Sequence, residues 1–241
     1  MSVWVLVGVA GSVALAAGAQ QLVGFGFALM AMPLLSALVG PRDAVALAAL
    51  ASLAGGTAMA WRLRDRVARP VLRRLVIGAV FGLPLGVLAL GNVPETPLRI
   101  AVAGAVLVMV VVLVAGLRMA DESPRTEIGA GFVSGAMGAA IGIGGPPVVL
   151  VLQAARMEQH PFRATTVTFF ALCNVATLPL VLGTGVVDLD RWPAALVAVP
   201  AALAASRACE GLAHRVSAEQ FRPLALGLLV VAAGVALASA F

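Results

Sequence analysis

Long apolar stretches separated by short arginine-bearing loops run the whole length of this 241-residue chain. An α-helix needs about 20 such residues to cross a membrane. With 61% hydrophobic and only 11% charged residues, the chain has too much apolar surface for a single water-exposed core. The sequence therefore predicts an all-α, polytopic membrane protein. Its apolar stretches lie near 3–22, 27–39, 43–61, 71–91, 97–117, 127–140, 146–155, 162–182, 192–209 and 218–240.

Three of these stretches, 27–39, 127–140 and 146–155, are too short to span. The first would rise only about 20 Å as a helix, against about 30 Å of hydrocarbon. We expect half-helices or re-entrant arms at these places. Glycines every fourth position within 71–91 instead predict a close helix–helix packing face; they are Gly78, Gly82 and Gly86.

The net charge of +5 comes from 16 basic residues, all of them arginine. The arginines sit in the loops between apolar stretches and crowd the segment 62–74, which is the pattern of cytoplasmic loops and not of a nucleic-acid-binding surface. We therefore predict no nucleic-acid partner and a protein of the cell (inner) membrane with both termini on the outer face. The apolar stretch 3–22 is interpreted as a retained membrane segment, because no basic residue precedes it.

The two halves of the chain resemble each other at their glycine motifs. Residues 23–27 (VGFGF) align with 141–145 (IGIGG), and Pro41 then aligns with Pro161. Each half holds five apolar stretches, an odd number, so the second copy would be inverted in the membrane. We predict a first repeat over 1–120 and an inverted second repeat over 121–241, together forming one transmembrane domain with broken helices at the glycine motifs.

The physical chemistry of the glycine motifs favours an anion site. Irregular backbone at membrane depth must be buried in protein or line a cavity. Glycine lets the chain turn and lets a ligand approach, and Pro146 and Pro147 suit the first turn of a new helix. A helix that begins inside the membrane directs its N–H groups and positive dipole end into the cavity, where they attract an anion.

At these residues the chain resembles the sulfite exporter TauE/SafE family, also called the TSUP transporters. The resemblance rests on the paired motifs GFGF at 24–27 and GIGGP at 142–146, on Pro33, and on the Ala/Thr-rich helix after Pro41 or Pro161, and it covers about residues 10 to 240. It implies a transporter of a small sulfur-containing oxyanion, such as sulfite, thiosulfate or an organosulfonate, across the cytoplasmic membrane.

The candidate substrate-binding residues combine the two motifs with polar residues at membrane depth. Asn174 and Thr177 share one helix face, Thr57 is their counterpart in the first half, and Gln21 precedes the first motif; bonds between helices are the alternative role for these side chains. The full set is Gly24, Phe25, Gly26, Phe27, Gly142, Ile143, Gly144, Gly145, Pro146, Asn174, Thr177, Thr57 and Gln21.

Other polar residues favour structural roles. Thr165, Thr166 and Thr168 could bond to carbonyls in the preceding helical turn. Arg207 and Glu210, three residues apart, are interpreted as an ion pair, with a substrate clamp as the alternative.

Several absences limit the function. We expect no cofactor and no metal site, since the cysteines and histidines lack metal-ligand spacing. No serine motif with a histidine at membrane depth supports an intramembrane enzyme, whereas a passive anion channel or a membrane assembly protein stays open. No acidic residue lies in the centre of an apolar stretch, and we therefore hypothesise that any proton coupling runs through the substrate's own protonation or through water.

Overall fold

The computed structural model describes residues 1–23, 26–115 and 123–210, and every regular element in these ranges is helical. Two 3-10 turns, Arg64–Arg66 and Leu189–Arg191, join longer helices. The α-helices of the described ranges are α1 (Val3–Val23), α2 (Phe27–Val39), α3 (Pro41–Leu63), α4 (Arg69–Asn92), α5 (Glu95–Ala115), α6 (Pro124–Ile141), α7 (Gly145–Ala154), α8 (Gln159–Gly183) and α9 (Trp192–Glu210).

Five of the described helices, α1, α3, α4, α5 and α8, are long and apolar enough to cross a membrane. Large apolar side chains cover their outward faces, among them Trp4, Phe81 and Val108. Such faces suit contact with lipid tails. The all-α, multi-pass prediction is therefore confirmed. The last predicted stretch, 218–240, lies outside the described residues.

Two of the three short stretches form short helices. α2 has 13 residues and α7 has 10, and each follows a glycine motif. The stretch 127–140 is longer than predicted, because α6 begins at Pro124 and has 18 residues, but α6 is not among the described helices that are long and apolar enough to cross a membrane. Its extra N-terminal turn is stabilised by a capping box, in which Ser123 and Thr126 satisfy each other's backbone N–H groups.

Glycines hold α4 and α6 in backbone contact, which confirms the predicted packing face. A methyl group on Gly78 or Gly82 would overlap the carbonyl of Ile128 or of Phe132, and one on Gly131 would overlap the carbonyl of Leu75. Small residues at such a crossing allow close packing without cavities.

The helix pairings of the described region recur between the two halves of the chain. α1 packs on α9 and α4 packs on α6, while α3 contacts both α8 and α9 and α4 contacts α8. If α1, α3 and α4 are exchanged with α6, α8 and α9, these pairings map onto one another. The exchange is what the predicted repeat would require, and the repeat and its boundaries stay predictions.

Charged pairs lie at the ends of the helices. Asp43 at the start of α3 accepts a hydrogen bond from the Asp188 N–H at 2.9 Å and pairs with Arg191 at 3.2 Å. At the other end of α3, Arg62 pairs with Glu210 at 2.7 Å. The predicted ion pair between Arg207 and Glu210 is therefore wrong, because the carboxylate is engaged across the helix contact instead.

Two of the three threonines near the start of α8 have different partners. Thr166 donates to the Phe162 carbonyl one turn earlier at 2.7 Å, as predicted. The Thr165 hydroxyl instead accepts the Ala68 N–H at 3.0 Å, which joins α8 to the connection between α3 and α4. Thr168 is half-buried, and its buried hydroxyl oxygen has no hydrogen-bond partner among the described residues, so the predicted bond to the preceding turn is not made.

We expect the variant Gly82→Ala to lose stability, because the added methyl group would meet the Phe132 backbone. Overpacking at a rigid contact costs about 1–3 kcal/mol. Thermal unfolding of the purified protein in detergent would measure this loss. Gly104→Ala is the matched control, since a methyl group there meets open space. Equal unfolding temperatures for the two variants would contradict the packing described above.

Candidate functional site

A cavity of about 60 Å³ lies where the N-terminal ends of α2 and α7 approach each other. The middle parts of α3 and α8 and one face of α6 form most of the remaining wall, to which α1 and α4 contribute one residue each. By volume it holds about four or five atoms the size of a water oxygen. The residues that line it are Gln20, Gly26, Phe27, Ala28, Leu29, Val45, Ala48, Ala49, Ser52, Leu83, Ser134, Gly138, Gly142, Ile143, Gly144, Gly145, Phe170, Cys173, Asn174 and Thr177.

The first turn of α2 presents backbone N–H groups at this cavity. Gly26 precedes the helix with φ 101°, a left-handed conformation that glycine adopts without strain. Its carbonyl accepts the Met30 N–H, the first bond of the helix. The three preceding residues that line the cavity, Phe27, Ala28 and Leu29, have N–H groups with no acceptor inside the helix.

The first turn of α7 offers fewer donors. Gly144 caps the helix and Gly145 begins it, and both line the cavity. The next two residues, Pro146 and Pro147, have no N–H to donate. They line a separate groove between α5, α6 and α7. The first turn of α7 therefore offers fewer backbone donors to the cavity than the first turn of α2.

The two helix starts lie in contact across the cavity. A methyl group on Gly145 would lie 3.8 Å from Cδ1 of Leu29 on α2. Gly142 ends α6 with φ 72°, and a side chain there would overlap Met32 of α2. Glycine is therefore required at position 142 both by the backbone conformation and by the close approach of α2.

A serine on α6 holds the second glycine motif in place. The Ser134 hydroxyl donates to the Gly144 carbonyl at 2.6 Å, and Ser134 is 2% exposed. This bond joins the middle of α6 to the residue that caps α7.

Neutral polar side chains complete the wall. Gln20 is 5% exposed and Thr177 is 3% exposed. Neither side chain has a hydrogen-bond partner among the described residues, although both line the cavity. Asn174, one helical turn from Thr177, lines it as well. Buried polar groups are normally paired. A polar ligand or water in the cavity would therefore satisfy the side chains of Gln20 and Thr177.

Most of the candidate residues that the structure describes meet at this one cavity. They are Gly26, Phe27, Gly142, Ile143, Gly144, Gly145, Asn174 and Thr177.

The remaining candidates lie elsewhere. Gln21 donates to the Gly55 carbonyl at 3.3 Å, and Thr57 is exposed. Pro146 lines the neighbouring groove. Gly24 and Phe25 lie outside the described residues.

Three polar residues of the lining, Gln20, Ser52 and Ser134, are absent from the candidate set predicted from the sequence. Gln20 and Gln21 are adjacent, and only the helix phase of α1 decides which of them faces the cavity. Ser134 carries no motif of its own, and only its contact with Gly144 shows its role.

None of the described lining residues is charged at neutral pH. Attraction for an anion would therefore come from the oriented peptide dipoles and free N–H groups of α2 and α7. The arrangement can bind a small anion that accepts several hydrogen bonds at once, in surroundings that exclude most water.

A multi-pass helical bundle that encloses a small, mostly apolar cavity with a few polar groups at two broken helices is an architecture that suits a membrane transporter. The chain belongs to the sulfite exporter TauE/SafE family, whose family model matches residues 9–236. Comparison with curated proteins and with solved structures gave no match.

We expect Gly144→Ala to weaken binding of a small oxyanion, probed with sulfite, by about tenfold or more. The added methyl group would lie against the Ser134 carbonyl and hydroxyl oxygens, at 2.6 and 2.8 Å, and would displace the end of α7. Losing one charge-assisted hydrogen bond is sufficient for such an effect. Calorimetry on the detergent-purified protein would measure it. The control is Gly129→Ala on α6, where a methyl group meets open space; equal affinities would place the site elsewhere.

Proposed function

We propose that this protein moves a small sulfur-containing oxyanion, of the sulfite, thiosulfate or organosulfonate class, across the cytoplasmic membrane. In this proposal the backbone N–H groups at the starts of α2 and α7 hold the anion. The observation that carries the proposal is the convergence of these two helix starts on one small cavity, mostly apolar with a few polar groups, inside a transporter of the sulfite exporter family.

The hydrogen-bonding capacity of the cavity supports an oxyanion. Five backbone N–H groups, of Phe27, Ala28, Leu29, Gly144 and Gly145, border it without an acceptor in their own helices. A halide accepts hydrogen bonds but presents no separate oxygen atoms. A sulfur oxyanion places several acceptor oxygens in different directions and can bond to both helix starts together.

The cavity volume supports a small substrate. About 60 Å³ accommodates a central atom with three or four oxygens. A methyl group in place of one of four oxygens gives an anion of similar size, so methanesulfonate would also fit. An aromatic sulfonate would need the bundle to open further.

The membrane orientation is part of the proposal. The basic connection between α3 and α4 carries Arg64, Arg66 and Arg69, and we propose that it faces the cytoplasm. The connection between α8 and α9 holds Asp188 and Asp190 and would face outward. Both termini then lie on the outer face of the cell membrane.

We expect saturable uptake of radiolabelled sulfite into proteoliposomes that contain the protein, and a strong loss with Gln20→Leu. The leucine fills a similar volume but removes the buried amide that faces the cavity, at a cost of about 1.5–3 kcal/mol for a hydrogen bond to a charged ligand. The apparent affinity should fall about tenfold or more. Gln153→Leu makes the same change on α7 away from the cavity lining and should keep normal uptake.

Two results would contradict this proposal. Folded, reconstituted protein that moves no sulfur oxyanion would exclude the substrate class. Large ohmic currents without saturation would instead indicate a passive anion channel. A short organosulfonate and thiosulfate, tested as competitors of sulfite, would rank the three substrate classes.

A further inference from the structure

We propose that the cavity takes a protonated, singly charged oxyanion of the hydrogensulfite class, and that Ser134 recognises its hydroxyl group. This inference rests on the proposed function and narrows the substrate of the same site. The proton crosses the membrane on the substrate and dissociates from it in bulk water on the other side. No bond to the protein is made or broken in this process.

Ser134 presents a fixed hydrogen-bond acceptor to the cavity. Its hydroxyl lies 2.6 Å from the Gly144 carbonyl, and a carbonyl oxygen can only accept. The single hydroxyl hydrogen is therefore already used. Because Ser134 is 2% exposed and lines the cavity, its oxygen has only lone pairs left for a ligand there.

A site that places one hydrogen-bond acceptor beside several donors distinguishes the protonated form of an oxyanion from its deprotonated form. The N–H groups of α2 and α7 bond to bare anionic oxygens. A fully deprotonated oxyanion has no hydrogen to donate to Ser134. One of the anion's oxygens would then face the serine oxygen, and neither atom could donate a hydrogen bond to the other. A protonated oxyanion satisfies both kinds of partner at once, and an unmatched buried polar group costs binding free energy.

The lack of charged residues in the described lining also favours the protonated, singly charged anion. The cost of moving an ion out of water rises with the square of its charge, and no described lining residue supplies a countercharge. The attraction to neutral dipoles grows only in proportion to the charge. A singly charged anion is therefore the better match to this cavity.

Apart from Cys173, the titratable residues of the described elements are not in the cavity lining; Arg163 comes near it, where its guanidinium donates to the carbonyl of Gln21 at 2.7 Å. Cys173 is the titratable side chain of the described lining, and a thiol is ordinarily neutral at pH 7. Helices α1, α2 and α7 carry no charged residue. On the other elements of the wall such groups occupy the first two turns or the last turn; they are Arg42, Asp43, Arg62, Arg69, Arg73, Arg74, Arg125, Glu127, His160 and Arg163.

The first test measures sulfite uptake into proteoliposomes at several pH values around the pKa of hydrogensulfite, which lies close to neutral pH. We expect KM, expressed as total sulfite, to rise about tenfold for each pH unit above that pKa, because the protonated fraction falls by the same factor. KM expressed as hydrogensulfite should stay constant. A KM that is constant when expressed as the dianion, or strong competition by sulfate, would overturn the inference while leaving the transport proposal intact.

The second test uses Ser134→Ala, with methanesulfonate as a competitor that has one negative charge and no hydroxyl. We expect KM for hydrogensulfite to rise about tenfold or more and the inhibition constant of methanesulfonate to change little. Equal weakening of both ligands would show that Ser134 only positions Gly144, and would overturn its proposed role. Ser36→Ala is the control, since that buried hydroxyl donates to the Pro33 carbonyl outside the cavity lining.

A third variant separates a proton on the substrate from a proton relay in the protein. Asp43 is buried, pairs with Arg191 and does not line the cavity. We expect Asp43→Asn to keep the wild-type dependence of KM on pH. If this variant binds sulfite normally but loses pH-driven transport, the proton passes through a protein carboxylate and the inference fails. Absence of sulfite uptake by folded wild-type protein would overturn the proposed function itself.

Discussion

The need to satisfy every backbone N–H and C=O group inside a membrane dominates this structure. A long helix meets it internally, but a helix that starts at membrane depth leaves its first N–H groups without partners. Here two such starts, at Gly26 and Gly144, are enclosed by other helices instead of facing lipid. The enclosure creates a pocket bordered by helix starts, and in the proposed function the backbone N–H groups left over at these starts are the groups that bind the anion.

The chemistry of this pocket depends on dipoles and not on ions. Charged side chains of the described region lie at the helix ends, where they join elements, as Asp43 joins Arg191 and Arg74 joins Glu127. If the pocket binds an anion as proposed, the lack of a charged residue in its described lining would keep the binding weak enough for release, which transport requires as well as capture.

Helix type and the positions of the two short helices in the described ranges could be predicted from the sequence, because hydropathy and glycine position act locally. The choice between Gln20 and Gln21 could not, since it depends on the rotation of α1 against α2 and α3. The extra turn of α6 depended on a capping box that lies outside the apolar stretch. The partner of Glu210 was missed for a similar reason, because Arg62 is distant in sequence and adjacent only after packing.

The glycine contact between α4 and α6 has a mechanical consequence. Their backbones touch at several successive turns, so neither helix can slide along the other without steric overlap. If the bundle opens, the two helices would therefore move together as one rigid unit. Ser134 and Gly138 lie on α6 and line the pocket. The wall that they form would move with this rigid unit, and the distance to the opposite wall would change.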